Sequence, residues 1–369
     1  MRLLVSGGGT GGHIYPALAT IKKLKQRDSS ANILYVGSTR GLENKIIPEQ
    51  DIPFTTINLQ GLSRSVSLAG LKYNIKTLNC FINGVHKAKE IIKEFNPDIV
   101  LGTGGYVSSA VLFAAAKLNI PTIINEQNSV VGLTNKFLAH YVDKIAISFE
   151  SVRKSFPKGK VVFTGNPRGQ EVFENKTNFD FSEYGLDNNL PTVLIFGGSQ
   201  GAPKINTTVI ENLSRFSNKN YQLLFVTGKK RFDSVMEEIN KRNITITSNI
   251  SVLPYISNMQ EILHKVSLIV SRSGATTLAE ITALGKPSIL IPSPNVTNDH
   301  QTKNALNLVS NGAASIIKES ELNGTILFDK IDELMNDAKK LEIMSNNAKK
   351  LGSPNAADNL LTLMDEIIN

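Results

Sequence analysis

Leu3-Leu4-Val5-Ser6 is a short apolar run that breaks into Gly7-Gly8-Gly9-Thr10-Gly11-Gly12 and ends on His13. Behind it, Ile14, Leu18, Ile21, Leu24 and Lys25 recur at helical spacing, so the glycines form a turn from a buried strand into a helix. Glycine lets backbone come close to a ligand, and the helix start offers unpaired N–H groups and a positive dipole end to an anion. Gly7-x-Gly9-x-x-Gly12 satisfies a dinucleotide fingerprint in form. That fingerprint also needs a ribose-binding acid at the end of the second strand. Here the second strand, Ile33 to Val36, runs into Gly37-Ser38-Thr39 with no carboxylate. The turn therefore points to a phosphate or a developing negative charge rather than to NAD. His13 has two readings, a helix-capping residue or an ionisable group placed for chemistry, and the phosphate-shaped turn favours the second.

The theme repeats along the chain. Apolar runs at Leu3 to Ser6, Ile33 to Val36, Phe54 to Ile57, Ile99 to Leu101, Thr122 to Ile124, Ile145 to Ser148 and Val161 to Phe163 alternate with helical stretches. This is the pattern of a parallel sheet covered by helices on both faces. A second glycine turn, Gly102-Thr103-Gly104-Gly105-Tyr106, follows the fourth run. In a doubly wound sheet both turns fall at the carboxyl edge and can line one cleft. The pattern stops near Thr164-Gly165-Asn166-Pro167-Arg168. Thr192 to Phe196 then runs into Gly197-Gly198-Ser199-Gln200-Gly201-Ala202 and a helix from Lys204 to Phe216. Further strands follow at Gln222 to Val226, Ile250 to Leu253, Leu268 to Val270 and Ser288 to Ile291. The expected fold class is α/β, with two Rossmann-like, doubly wound parallel-sheet domains facing across a cleft. Their expected limits are 1–165 and 166–352, with a closing helix at about 353–369 that packs back on the first.

Composition removes several classes of function. The lone Cys80 excludes an internal disulfide, and five scattered histidines with no cysteine partners make no zinc pattern. No Asp-x-Asp occurs, which argues against a metal-chelating mechanism, so no metal and no cofactor are expected. No signal-peptide layout opens the chain, and no apolar stretch reaches the roughly 20 residues of a membrane span. A formal charge of +8 calls for an anionic partner. With aromatics at 7% and no basic aromatic patch, nucleic acid is not that partner.

The candidate site residues gather at strand ends. Asn125-Glu126-Gln127-Asn128 closes the fifth strand, and Glu126 is there either a general base or a cap for the following helix. Ser271-Arg272-Ser273-Gly274-Ala275-Thr276-Thr277 leads into a small-residue helix carrying Glu280. Leu278, Ile281 and Leu284 around that carboxylate read as buried, which suits a grip on two ribose hydroxyls. Asn298 to Asn304 opens another helix dense in hydrogen-bonding groups. Leu71, Ile75, Leu78, Ile82 and Val85, flanked by Arg64, Lys72 and Lys76, form an apolar stripe. It is either a core-facing stripe or a face that dips into an anionic membrane surface.

Several motifs in order carry a resemblance over nearly the whole length: GGTGGH at Gly8 to His13, GTGGY at Gly102 to Tyr106, EQN with GLTNK at Glu126 to Lys136, GNP at Gly165, GGSQGA at Gly197 to Ala202, and RSGA ahead of Glu280. With them the chain resembles the MurG family, the UDP-N-acetylglucosamine:lipid-linked muramyl-pentapeptide N-acetylglucosaminyltransferases of bacterial cell-wall synthesis. The resemblance implies a GT-B fold and the inverting transfer of GlcNAc from UDP-GlcNAc to the muramyl 4-hydroxyl of an undecaprenyl-linked muramyl-pentapeptide. It also implies a peripheral enzyme on the cytoplasmic face of the cell membrane. It assigns Ser199, Gln200 and Gly201 to the donor diphosphate, Glu280 to the ribose and the backbone of Ile256 to the uracil. Ala275, Thr276 and Thr277 would meet the diphosphate or sugar and Gln301 the sugar, with Thr10, Gly11, Gly12, Asn128 and Arg168 completing the donor contacts. Gly104, Gly105 and Tyr106 would face the acceptor, with His13 the first candidate base and Glu126 the second. Two departures stand out: Arg168 follows Pro167 directly where some relatives have an intervening residue, and His300 precedes Gln301 where some have paired glutamines. The rival readings are a UDP-GlcNAc epimerase and a non-catalytic nucleotide-sugar-binding subunit.

Overall fold

A computed structural model describes residues 1–61, 67–175, 178–198 and 200–368. They form two units, one of Met1–Glu171 together with the residues from Asn355 onward, the other Val172–Pro354.

Unit 1 is built on β1 (Arg2–Gly7), β2 (Asn32–Ser38), β3 (Phe54–Ile57), β4 (Ile99–Gly104), β5 (Thr122–Glu126), β6 (Lys144–Ile147) and β7 (Val161–Phe163). They pair in parallel in the order β3-β2-β1-β4-β5-β6-β7. Its helices are α1 (Gly11–Arg27), the short α2 (Glu43–Ile46), α3 (Leu68–Phe95), α4 (Tyr106–Lys117), α5 (Leu133–Leu138) and the start of α6 (Pro167–Glu174). Alternation along β1 explains why both faces are covered. Leu3 and Val5 join Ile14, Ala17, Ile21 and Leu24 of α1, whereas Leu4 joins Ala88 and Ile92 of α3 and Ala110 and Val111 of α4.

Unit 2 carries β8 (Thr192–Phe196), β9 (Gln222–Val226), β10 (Ile250–Leu253), β11 (Leu268–Ser271), β12 (Ser288–Leu290) and β13 (Ala314–Ile316). The order is β10-β9-β8-β11-β12-β13, again all parallel. Its helices are α7 (Pro203–Glu211), α8 (Phe232–Lys241), α9 (Met259–Lys265), α10 (Ala275–Leu284), α11 (His300–Ser310), α12 (Gly324–Met335) and α13 (Ala338–Leu351). The helix expected from Lys204 to Phe216 is α7 followed by a separate 3-10 turn, Leu213–Phe216. The edge strand β13 was not marked by the hydrophobic pattern, because three residues with only Ala314 buried leave no periodicity to read.

The last helix, α14 (Ala356–Ile368), belongs to unit 1. Gln170 of α6 caps it, its Oε1 accepting from the Ala357 and Asp358 N–H groups at 2.8 and 3.0 Å. Arg27 of α1 forks onto Asp365 at 2.7 and 3.1 Å, and Leu360, Leu361, Leu363 and Met364 enter the α1-side core. The two units part at Glu171/Val172 within α6, a few residues beyond the turn at Gly165-Asn166, because Arg168 and Gln170 are bound to unit 1.

In each sheet the order reverses at one place, between β1 and β4 and between β8 and β11. Chain order thus brings two strand-to-helix turns side by side at each carboxyl edge, the position where open α/β sheets hold ligands.

Candidate functional site

In unit 1 the turns after β1 and β4 interlock. Gly8 N–H donates to the Gly104 carbonyl at 3.2 Å, and Gly105 sits at φ +83 with room for no Cβ, which would come within 2.5 Å of the Gly8 oxygen. Ser108 of α4 pins the junction, its hydroxyl donating to the Ser6 and Gly104 carbonyls at 2.8 Å each. Gly9 takes φ +82 and Thr10 is the N-cap of α1, yet the Thr10 side chain makes no cap bond and the first turn holds no acid. The Thr10, Gly11 and Gly12 N–H groups thus have no acceptor among the described residues, the condition for receiving an anion.

His13 stands in that first turn, half-buried. Its Nδ1 lies 2.9 Å from the Gly8 carbonyl and 3.5 Å from Thr10 Oγ1. A carbonyl only accepts, so Nδ1 carries the proton of the neutral ring and Nε2 is left as an acceptor. The ring lies against the Cα of Gly104, where a Cβ would stand 2.9 Å from Nε2. Tyr106 opens α4 beside it in sequence, half-buried, and Gly61 lies against the Tyr106 ring.

Glu126 sits at the end of β5, 1% exposed. Its Oε1 accepts from the Asn128 N–H and Nδ2 at 3.1 and 3.4 Å, and its Oε2 from the Gly132 N–H and Asn135 Nδ2 at 2.9 Å each. Four donors occupy the roughly four acceptor sites of a carboxylate. Of its two sequence readings, this geometry supports the structural one, a carboxylate holding the 128–132 loop and the start of α5. Arg168 lies in unit 1 with its guanidinium 5.2 Å over the Tyr15 ring and 2.7 Å from Glu171. Asn128, beyond β5, is half-buried.

In unit 2 the equivalent turns follow β8 and β11, and the turn after β8 packs on the one after β9. Gly201 (φ +73) and Gly228 (φ +89) pack backbone on backbone, a Cβ on Gly228 coming within 2.5 Å of the Gly201 N. Gly201 N–H closes the turn onto the Gly198 carbonyl at 2.9 Å, and Gln200 at its tip is exposed. Ser199 lies outside the described residues. α7 and α10 both begin without a side-chain cap, at Ala202 and Gly274. Ala275, Thr276 and Thr277 form the first turn of α10, and Glu280 follows on the same helix, 7% exposed. Ile256 is 3% exposed in the turn after β10, next to Tyr255, over whose ring Lys229 stands at 4.5 Å.

Gln301 fastens this edge. Its Oε1 accepts from the Ser293 N–H at 2.9 Å, and its carbonyl accepts from the Ser273 hydroxyl at 2.8 Å. His300 donates from Nδ1 to the Thr297 carbonyl at 2.8 Å, just after Asn298 and Asp299, both in the left-handed region. Arg272, named in the sequence only as part of the RSGA motif and given no role, reaches the Ile291 and Pro292 carbonyls at 3.0 Å each and pairs with Glu319. Its signal in the sequence was its place, one residue past a buried strand.

α3 resolves the apolar stripe. Ile75, Leu78 and Ile82 are 57%, 58% and 57% exposed, whereas Thr77, Ala88, Ile91 and Ile92 are buried and Phe81 and Val85 pack on the core. Among the described side chains the stripe is therefore an outer face, which overturns the core reading for Ile75, Leu78 and Ile82. The side chain of Leu71 lies outside the described set, as do that of Lys72 and the whole of Arg64. From core-packed Phe81 ring contacts run through Phe137 and Phe113 to Tyr141, at 5.9, 5.8 and 4.9 Å, with Phe137 and Tyr141 exposed.

Residues 3–147 match the Glycosyltransferase family 28 N-terminal domain and residues 192–360 its C-terminal domain. A protein of Oenococcus oeni named UDP-N-acetylglucosamine--N-acetylmuramyl-(pentapeptide) pyrophosphoryl-undecaprenol N-acetylglucosamine transferase is 56% identical, the match covering 100% of this chain and 98% of that one. The crystal structure of Acinetobacter baumannii MurG is similar at a TM-score of 0.77 and 28% identity, over 99% of both chains. A UDP-N-acetylglucosamine 2-epimerase reaches a TM-score of 0.69 at 14% identity, over 99% of this chain and 95% of that one, a likeness of fold alone. Two Rossmann-like units that both match one family, with a full-length relative at that identity, place this chain in glycosyltransferase family 28, among the GT-B N-acetylglucosaminyltransferases of the MurG type.

Proposed function

We propose that this enzyme moves GlcNAc from UDP-GlcNAc to the 4-hydroxyl of an undecaprenyl-linked muramyl-pentapeptide, with inversion, in peptidoglycan synthesis. The observation that carries the reading is the pair of switch-point turns in each unit, which leave uncapped helix starts at α1, α7 and α10. In unit 2 the donor's diphosphate takes the α7 and α10 starts, through Ser199, Gln200, Gly201, Ala275, Thr276 and Thr277. Glu280 accepts from the ribose, Ile256 meets the uracil through its backbone, and Gln301 meets the sugar. Departure of UDP puts negative charge on the diphosphate, and a fixed N–H donor at such a place is worth about 3 to 4 kcal/mol in acyl-transfer enzymes.

In unit 1 the acceptor meets Gly104, Gly105 and Tyr106, with Thr10, Gly11, Gly12, Asn128 and Arg168 at the reacting end of the donor. His13 Nε2 takes the proton of the attacking hydroxyl, since its Nδ1 is committed to the Gly8 carbonyl. Glu126 serves by holding the loop that carries Asn128.

The outer face of α3 docks on the anionic cytoplasmic surface of the cell membrane. Exposed Lys76, Lys117 and Lys136 accompany its apolar side chains, with Lys117 5.5 Å over Phe113, so aliphatic, aromatic and basic groups share one surface.

Incubation with UDP-GlcNAc, with and without the lipid-linked muramyl acceptor, tests the reading against its rivals. Acceptor-dependent UDP release is expected. A new epimer without acceptor, or binding with no release, would overturn it.

A further inference from the structure

Glu43 is wholly buried, and pattern reading gave it no role. It comes from α2, yet its carboxyl lies under the glycine turn after β1. Oε1 accepts from the Ser38 N–H at 3.0 Å and the Ser38 hydroxyl at 2.7 Å, and Oε2 accepts from the Gly9 N–H at 2.9 Å. Gly8, Gly37 and Gly41 make the space, because a Cβ on any of them would run into the Glu43 side chain. Beside it the Tyr35 hydroxyl donates to the Gly7 carbonyl at 2.9 Å. Burial, reinforced by the Glu43 charge, pushes that phenol up, so it stays a donor.

The Gly9 N–H and the Gly8 carbonyl are the two ends of one planar peptide. The first donates to Glu43 and the second accepts from His13 Nδ1. We propose that Glu43 is a positioning residue which acts on His13 through this peptide, a carboxylate–peptide–imidazole relay. A carboxylate on the N–H end polarises the peptide and strengthens its carbonyl as an acceptor. That fixes the His13 ring plane and its Nδ1–H tautomer and leaves Nε2 as the acceptor, as a carboxylate hydrogen-bonded directly to a histidine does elsewhere.

The inference rests on the reading of His13 as the base, and its test separates the two. Nitrogen-15 spectra of the wild-type enzyme should show His13 as the Nδ1–H tautomer, and an Nε2–H tautomer overturns the relay whatever any variant does. Glu43→Gln keeps one acceptor oxygen, replaces the other with an NH2 donor and removes the negative charge. It should lower kcat by roughly 10- to 100-fold, the scale seen when an outer-shell partner of a histidine is removed. The KM for UDP-GlcNAc should hold and the His13 tautomer preference should be lost. Unchanged kcat and tautomer in folded Glu43→Gln sink the proposal. If His13→Ala retains turnover, the base assignment fails, and the tautomer in Glu43→Gln still decides whether Glu43 governs the ring.

Discussion

His13 lies against the Cα of Gly104, with one nitrogen spent on the Gly8 carbonyl and the other unspent. His13→Ala is therefore expected to leave UDP-GlcNAc affinity almost intact while turnover falls about 100- to 10,000-fold, the usual range for a general base. Unchanged turnover would remove it from the mechanism. Glu280 is a nearly buried carboxylate on a helix whose start has no cap. Glu280→Ala should raise the KM for UDP-GlcNAc by about tenfold or more, given about 1.5 to 3 kcal/mol for a hydrogen bond to a charged group. Unaltered UDP affinity, measured by calorimetry, would retire the ribose assignment. At this scale the sequence located residues better than bonds. His13 could be read because Gly8, whose carbonyl holds its Nδ1, lies close to it in the chain, whereas its packing on Gly104 was not visible. Glu126 was ambiguous because its partners Gly132 and Asn135 become neighbours only when the loop folds back. Glu43 was invisible, since its link to Gly9 spans 34 positions.

α3 shows what a hydrophobic period leaves undecided. Its buried residues and its exposed Ile75, Leu78 and Ile82 follow the same helical spacing, so the pattern gives the helix without saying which stripe meets the core. Fully burying one such side chain in an apolar medium contributes about 1.5 to 3 kcal/mol, and each nearby lysine adds about 1 kcal/mol on an anionic surface. Ile75→Glu combined with Ile82→Glu is thus expected to weaken binding to phosphatidylglycerol vesicles by tenfold or more, with activity on a soluble acceptor analogue preserved. Equal vesicle binding by wild type and variant would leave the face without that role. The strand-to-helix turns were legible because glycine must occur where φ is positive or backbones touch, as at Gly105, Gly201 and Gly228. β13 was not, because an edge strand of three residues is defined by its partner β12 rather than by its own composition.

Over the whole molecule, the two-unit plan was readable from the repeated strand, glycine turn and helix, whereas the return of α14 to unit 1 rests on long-range bonds such as Gln170 to Ala357. Charge buried far from the site also governs stability. Lys286, at the start of the β12 segment, donates to the His264 and Val266 carbonyls at 2.6 and 3.0 Å, and burial, with Lys349 nearby, pushes it down to about 8 from an ordinary 10.5. Below pH 8 the cost of a buried ammonium is fully present. From pH 8 to 10.5 the unfolded chain binds more protons than the folded one, so stability rises with pH. Tyr221 in the same unit, pushed up by burial and its bond to Asp332, has the opposite sign, its contribution being lost above its ordinary 10. The unfolding free energy of unit 2, from urea titration, should therefore climb by on the order of 2 kcal/mol between pH 8 and a maximum near 10. Lys286→Met should flatten that climb, and a midpoint that falls across the range would contradict the assignment. The docking of α14 also sets a timetable for synthesis. At about 5 to 20 residues per second, the Val172–Pro354 segment occupies a ribosome for roughly 10 to 40 s. Throughout that interval the α1-side core lacks Leu360, Leu361, Leu363 and Met364 in the nascent chain, which makes unit 1, though translated first, the later of the two to complete its core.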